Sequence, residues 1–210
     1  MREDGSTTAS DPRKFLGDRL ARGAVVLLPW LGPLLILGVG LAVLAWSWAH
    51  GPDSLIDFGR ELYVPWQISQ GTSLYTDLFY LNGPLSPHWN ALLFASFGEG
   101  LRVLMVANAL IAAAIAAFLY LLFQRAADRV AATVAGLAFV SFIAFTQLGT
   151  MGNYNFLTPY SHELTHGLAL SLFALWAFSF FSRIGNWAIA TSGFVLGLVF
   201  LTKPEVFLAA

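Results

Sequence analysis

Long apolar runs alternate with short polar joints along this chain. The runs cover 24–49 (AVVLLPWLGPLLILGVGLAVLAWSWA), 101–123, 130–148, 164–182 and 186–202. A bilayer-spanning helix needs about 20 mostly apolar residues, so the pattern predicts five membrane spans. A shorter apolar segment, PLSPHWNALLFASFG at 84–98, is too short for a span and reads as a re-entrant or interfacial helix. Residues 50–84 form the longest polar stretch after a polar N-terminal tail at 1–23. The expected fold class is all-α: a polytopic transmembrane helix bundle over 24–210, with a large first extracytoplasmic loop carrying amphipathic surface helices.

Composition sharpens this picture. The chain is 57% hydrophobic and 11% charged, against about 25% charged residues in a soluble domain. With no cysteine there is no disulfide framework, thiolate nucleophile or Cys-ligated metal. No basic stripe suggests nucleic acid. The tail is too long and acidic for a signal peptide, so the first span is expected to stay uncleaved, with Pro29 and Pro33 in its first turns and Trp46 and Trp48 at the far interface. The chain stops inside the apolar run FLTKPEVFLAA, which predicts a longer protein. If 84–98 does not cross, the N-terminal basic cluster, Arg125, Arg129 and Arg183 all face the cytoplasm, as the positive-inside rule requires. The expectation is a multi-pass protein of the cell membrane, N-terminus cytoplasmic, with the loop 50–84 and the joint 149–163 outside.

The outer loop is unusual for a linker. Ser54 with Asp57 resembles a capping box, and Phe58, Leu62 and Trp66 recur at helical spacing, which predicts an amphipathic surface helix with Asp57 and Glu61 on its acidic edge. Arg60 can reach Asp57, and Pro65 should bend or end the helix. Asp57, Glu61, Asp77 and His88 stand among Tyr63, Trp66, Tyr75, Tyr80 and Trp89. Carboxylates framed by aromatic rings suit sugar handling: rings stack on sugar C–H faces, and a carboxylate takes a proton from an attacking hydroxyl or holds a metal.

The ordered strings DFGRELY (57–63), GTSLYTD (71–77), GPLS (83–86), FG (97–98) and GLVFLTK (197–203) resemble the GT-C glycosyltransferases. More narrowly, they are similar to the bacterial branch related to protein O-mannosyltransferases and lipid A aminoarabinose transferases. The resemblance covers roughly 50–205. It implies a polyprenyl-phosphate-linked sugar donor and a lipid, polysaccharide or protein acceptor at the outer membrane face. It implies Asp57 as general base, although Phe58 stands where many relatives carry a second acidic residue; Glu61 and Asp77 are the candidate substitutes. Lys203, and after it Arg102 and Arg60, would bind the lipid phosphate, with Glu61, Tyr63, Tyr75, Asp77 and His88 toward the substrates.

A second motif competes. His162-Glu163-Leu164-Thr165-His166 is a His-Glu-x-x-His sequence, which on a helix sets two imidazoles on one face beside a carboxylate, as in zinc proteases. Catalytic zinc needs a third protein ligand, and after Glu163 the sequence offers no Asp and only Glu205 as a carboxylate. Three readings stay open for His162, Glu163 and His166: a structural role, a pocket or divalent-metal role in a transferase, and an intramembrane protease. A transporter or scaffold is the non-enzymatic alternative, but transporters set ionisable groups within their spans. Here such groups gather at the outer ends.

Overall fold

The computed structural model describes residues 29–48, 58–145 and 155–210. The described residues are helical: α1 Leu31–Ser47, α2 Gly59–Ser69, α3 Leu85–Phe97, α4 Leu101–Ala126, α5 Arg129–Phe142, α6 His162–Phe178, α7 Phe181–Ile184, α8 Asn186–Phe200 and α9 Pro204–Ala209. Among them there is no strand, only an isolated bridge between Leu74 and Leu78. Each expected apolar run holds a helix, and 84–98 holds the short α3. One helix among the described residues is long and apolar enough to cross a membrane: α4, 26 residues with an 18-residue stretch of mean hydropathy 2.3, is about 39 Å long. Leu31–Ser47, Arg129–Phe142 and Asn186–Phe200 are shorter apolar helices.

Contacts fix the helix directions. Gly32 lies against Thr133, Ile36 against Gly136 and Gly40 against Val140, so α1 and α5 run parallel. Asn108 meets His162 and Phe118 meets Phe173, so α4 and α6 also run parallel. Ser192 donates to the Ala174 carbonyl at 2.9 Å while Gly167 abuts Thr202, so α8 is antiparallel to α6. The hairpin at Ala127 and Asp128 reverses α4 into α5, and the Asp128 carboxylate caps α5 by accepting from Ala131 N at 2.8 Å. Taken in chain order, the five longest helices α1, α4, α5, α6 and α8 therefore alternate in direction. Small residues let α1 and α5 approach: a Cβ on Gly136 would stand 2.4 Å from Ile36 Cδ1. The core around this seam includes Ile36, Ala112, Ile115, Ala132, Phe139 and Val140.

At one end of this stack sit α2, α3 and α9. Gly98, at φ 90, turns the chain from α3 toward α4. The Asn82–Pro84 turn docks on the end of α8 through Gly83 N to Thr202 O at 2.9 Å and Leu85 N to Leu201 O at 3.0 Å. Gly83 has to be glycine there, because a Cβ would lie 2.0 Å from the Leu201 carbonyl oxygen.

The helix α2 differs from its sequence reading in three ways. It begins at Gly59 with no side-chain cap, and Ser54, the expected cap, lies outside the described residues. It continues through Pro65 to Ser69, because Pro65 packs into the buried side and only the Glu61 carbonyl loses its helical donor. Its buried stripe is Phe58, Glu61, Val64 and Pro65 rather than Phe58, Leu62 and Trp66, and Trp66 is exposed. Glu61 thus points into the protein, away from the solvated edge foreseen for it.

Candidate functional site

The N-terminus of α6 receives α2 through a chain of buried polar groups. Glu61, 5% exposed, accepts from His162 Nδ1 at 2.6 Å and from the His162 backbone N–H at 3.2 Å, both through Oε2. Its Oε1 accepts from Arg60 Nη2 at 2.7 Å and Nε at 3.1 Å. Both carboxylate oxygens are therefore engaged. Burial opposes the Glu61 charge, but the bonds from His162 and Arg60 outweigh it and hold the carboxyl below the ordinary carboxylate range. Burial likewise opposes the charge of Arg60, and Glu61 reverses the balance, raising the guanidinium above its usual value. Arg60 also donates to the Tyr160 carbonyl at 3.3 Å.

On the far side of the imidazole, His162 Nε2 lies 2.9 Å from Asn108 Nδ2, on α4. Asn108 is 2% exposed and also donates to the Leu157 carbonyl at 3.0 Å. Phe58 packs on the His162 ring with centroids 5.4 Å apart. A carboxylate on Nδ1 of a histidine is how hydrolytic triads orient their base, but such a base needs its Nε2 open to a nucleophile. Here Nε2 is covered by Asn108, so His162 is built to hold rather than to abstract a proton.

The rest of the His-Glu-x-x-His sequence lies beside it. Ser161 starts α6, but its hydroxyl donates to Glu163 Oε2 at 2.5 Å instead of capping the helix. Glu163 is fully buried and within electrostatic reach of Glu61, Arg60 and Lys203. His166 contacts Ser86 Oγ through Nδ1 at 3.0 Å. Glu163 Oε1 and His166 Nε2 have no hydrogen-bond partner among the described residues. The His162 and His166 rings are 5.6 Å apart, yet both nitrogens of His162 are engaged, and among the described residues no three His, Cys, Asp or Glu side chains are placed to hold a metal. Among the described residues the donor set does not fit a zinc site.

The other sequence candidates divide. Lys203 is half-buried at the start of α9, beside the Thr202 that packs on Gly167. Tyr75, half exposed, donates to the Asn82 carbonyl at 2.6 Å; burial and then Glu163 push its phenol up. Tyr63, Asp77, His88 and Arg102 are exposed, with Asp77 accepting from Ser73 N at 3.1 Å and His88 facing the Pro84 carbonyl at 2.8 Å. These four are not in the buried cluster. Asp57 lies outside the described residues, next to the described Phe58.

Sequence reasoning missed Asn108, Ser86 and Thr202. Asn108 carried a signal: it is an amide inside an apolar run, and buried polar groups in such helices need partners. Ser86 and Thr202 carried none beyond lying in GPLS and GLVFLTK, two strings that the fold brings against α6.

No protein-family model, no curated protein and no solved structure matches the chain.

Proposed function

We propose that the chain is an integral membrane glycosyltransferase of GT-C type, moving a sugar from a polyprenyl-phosphate donor to an acceptor hydroxyl at the extracytoplasmic face. One observation carries the reading. Four segments distant in sequence (the start of α2, the 83–86 turn, the N-terminus of α6 and the 201–203 turn) converge at one end of the helix stack into a single polar cluster. Three of them carry strings that resemble the transferase branch.

The alternating helix directions support a multi-pass chain. They set Arg125, Arg129 and Arg183 at the end opposite the cluster, which suits a cytoplasmic end there. In this reading Asp57 takes the proton of the acceptor hydroxyl as its oxygen bonds to the anomeric carbon. The bond from that carbon to the phosphate oxygen breaks, and polyprenyl phosphate leaves. Lys203 and Arg60 favour the charge growing on the phosphate. Arg102, exposed at the first turn of α4, is placed to meet lipid headgroups.

The intramembrane-protease reading loses its footing in the engaged nitrogens of His162. A transporter is disfavoured by α4, whose interior carries no ionisable group between Arg102 and Arg125 apart from the phenol of Tyr120.

The test is transfer from undecaprenyl-phosphate-linked sugars in proteoliposomes. Asp57→Asn should lose about 10²–10⁴-fold in turnover, the usual worth of a general base, while inserting normally. Full activity in that variant would overturn the assignment.

A further inference from the structure

We infer that Asn108 is a positioning residue: it holds His162 as the Nδ1–H tautomer and so pins the loop helix α2 to the membrane-helix pair α4 and α6. The inference deepens the transferase reading in one respect only, since α2 starts two residues after Asp57 in the sequence; the tautomer itself stands apart from it.

Donor and acceptor rules leave one arrangement. The Leu157 carbonyl can only accept, so the Asn108 side-chain group 3.0 Å from it is the amide nitrogen, not the oxygen. That same nitrogen stands 2.9 Å from His162 Nε2. Its second hydrogen then points at Nε2, which must accept. The ring proton therefore sits on Nδ1, 2.6 Å from Glu61 Oε2, which accepts it. A proton on Nε2 would set two donors face to face. The polarity runs unbroken from the Asn108 amide through the imidazole to Glu61, where Arg60 closes it at 2.7 Å.

Every member but Arg60 is at least nine-tenths buried, so the Asn108–His162 and His162–Glu61 bonds act where water does not compete. The chain crosses from α4 to α6 to α2, tying segments 54 and 101 residues apart in sequence. Phe58 then rests on the ring so fixed, with centroids 5.4 Å apart. Asn108 touches no substrate in this scheme; it acts through His162 on the start of α2.

The experiment uses the full chain in lipid nanodiscs with ¹⁵N-labelled histidine. The chain has four histidines, and His162 is assigned by the signal lost in His162→Gln. The wild type should show a pyrrole-like Nδ1 and a pyridine-like Nε2 for that residue. In Asn108→Asp an acceptor replaces the donor, so Nε2 should take up a proton and turn pyrrole-like. A protonated Nε2 in the wild type, or an Nε2 signal unmoved by Asn108→Asp, would overturn the inference. Turnover in Asn108→Asp should fall about 10²-fold, the effect of a small misplacement of reacting groups, with the donor KM unchanged. Unchanged turnover alongside a protonated Nε2 would remove the positioning role. Absence of transfer in the wild type would sink the transferase reading alone, because the nitrogen signals still decide the tautomer and the pin.

Discussion

Two arginines mark the two ends of the helix stack; both lie over aromatic rings, Arg60 at 5.7 Å from the Tyr160 centroid, but only Arg60 has a carboxylate partner among the described residues. Arg60 grips the carboxylate of Glu61, which is itself buried against His162. Arg125 lies over the Phe180 ring at 3.7 Å and the Trp176 ring at 5.9 Å and donates to Ser179 Oγ, with no carboxylate partner among the described residues. A cation on aromatic faces anchors a helix end at an interface and asks little of its surroundings. A cation on a buried carboxylate commits the protein to a fixed internal field, because the buried carboxylate is costly without its donors. The first arrangement suits placement in a membrane. The second suits chemistry, and it stands where the candidate site lies.

The contrast can be broken most strongly at Glu61. Glu61→Ala leaves His162 Nδ1 and Arg60 without their acceptor, and a hydrogen bond to a charged group is worth about 1.5–3 kcal/mol. Detergent-unfolding curves of the purified protein should show that loss. The same residue sets an acid limit. Its folded pKa is lowered, so its stabilisation is complete above the ordinary carboxylate value, about 4.3, and drains away as pH falls through the lowered value. Stability measured from pH 7 downward should fall in the wild type and stay flatter in Glu61→Gln.

A smaller break lies in the α1–α5 seam. Gly136→Ala puts a methyl 2.4 Å from Ile36 Cδ1, and overpacking of this kind costs about 1–3 kcal/mol. Adding Ile36→Val should recover part of it, and a strictly additive double variant would argue against the seam. Smallest is Arg125→Ala, where loss of the aromatic contacts should cost about 0.5–1 kcal/mol. A loss at Arg125 equal to that at Glu61 would erase the distinction between the two ends.

Hydrophobic patterning revealed the helices because it reports local burial: the runs at 101–123 and 186–202 became α4 and α8 with little change at their ends. The short helix at 84–98 was legible from length alone. The rotation of α2 was not. Periodicity ranks Glu61 as a surface residue, and only a partner 101 residues away makes burying it favourable. Asn108 shows the converse: its polarity inside an apolar helix announced a partner without naming it. His162-Glu163-Leu164-Thr165-His166 shows how a motif has to be read with its neighbours. The spacing set both rings on one face, as expected, but Glu61 and Asn108 engage both nitrogens of His162, while His166 Nε2 has no hydrogen-bond partner among the described residues.

The central claim is that the polar cluster faces the extracytoplasmic side, and the absence of cysteine makes it directly measurable. Single cysteines would replace Phe79, 87% exposed in the loop beside the cluster, and Trp187, 77% exposed at the opposite end of the stack. In intact cells a membrane-impermeant maleimide should label the first and reach the second only after permeabilisation. Labelling of both from outside, or of Trp187→Cys alone, would contradict the account.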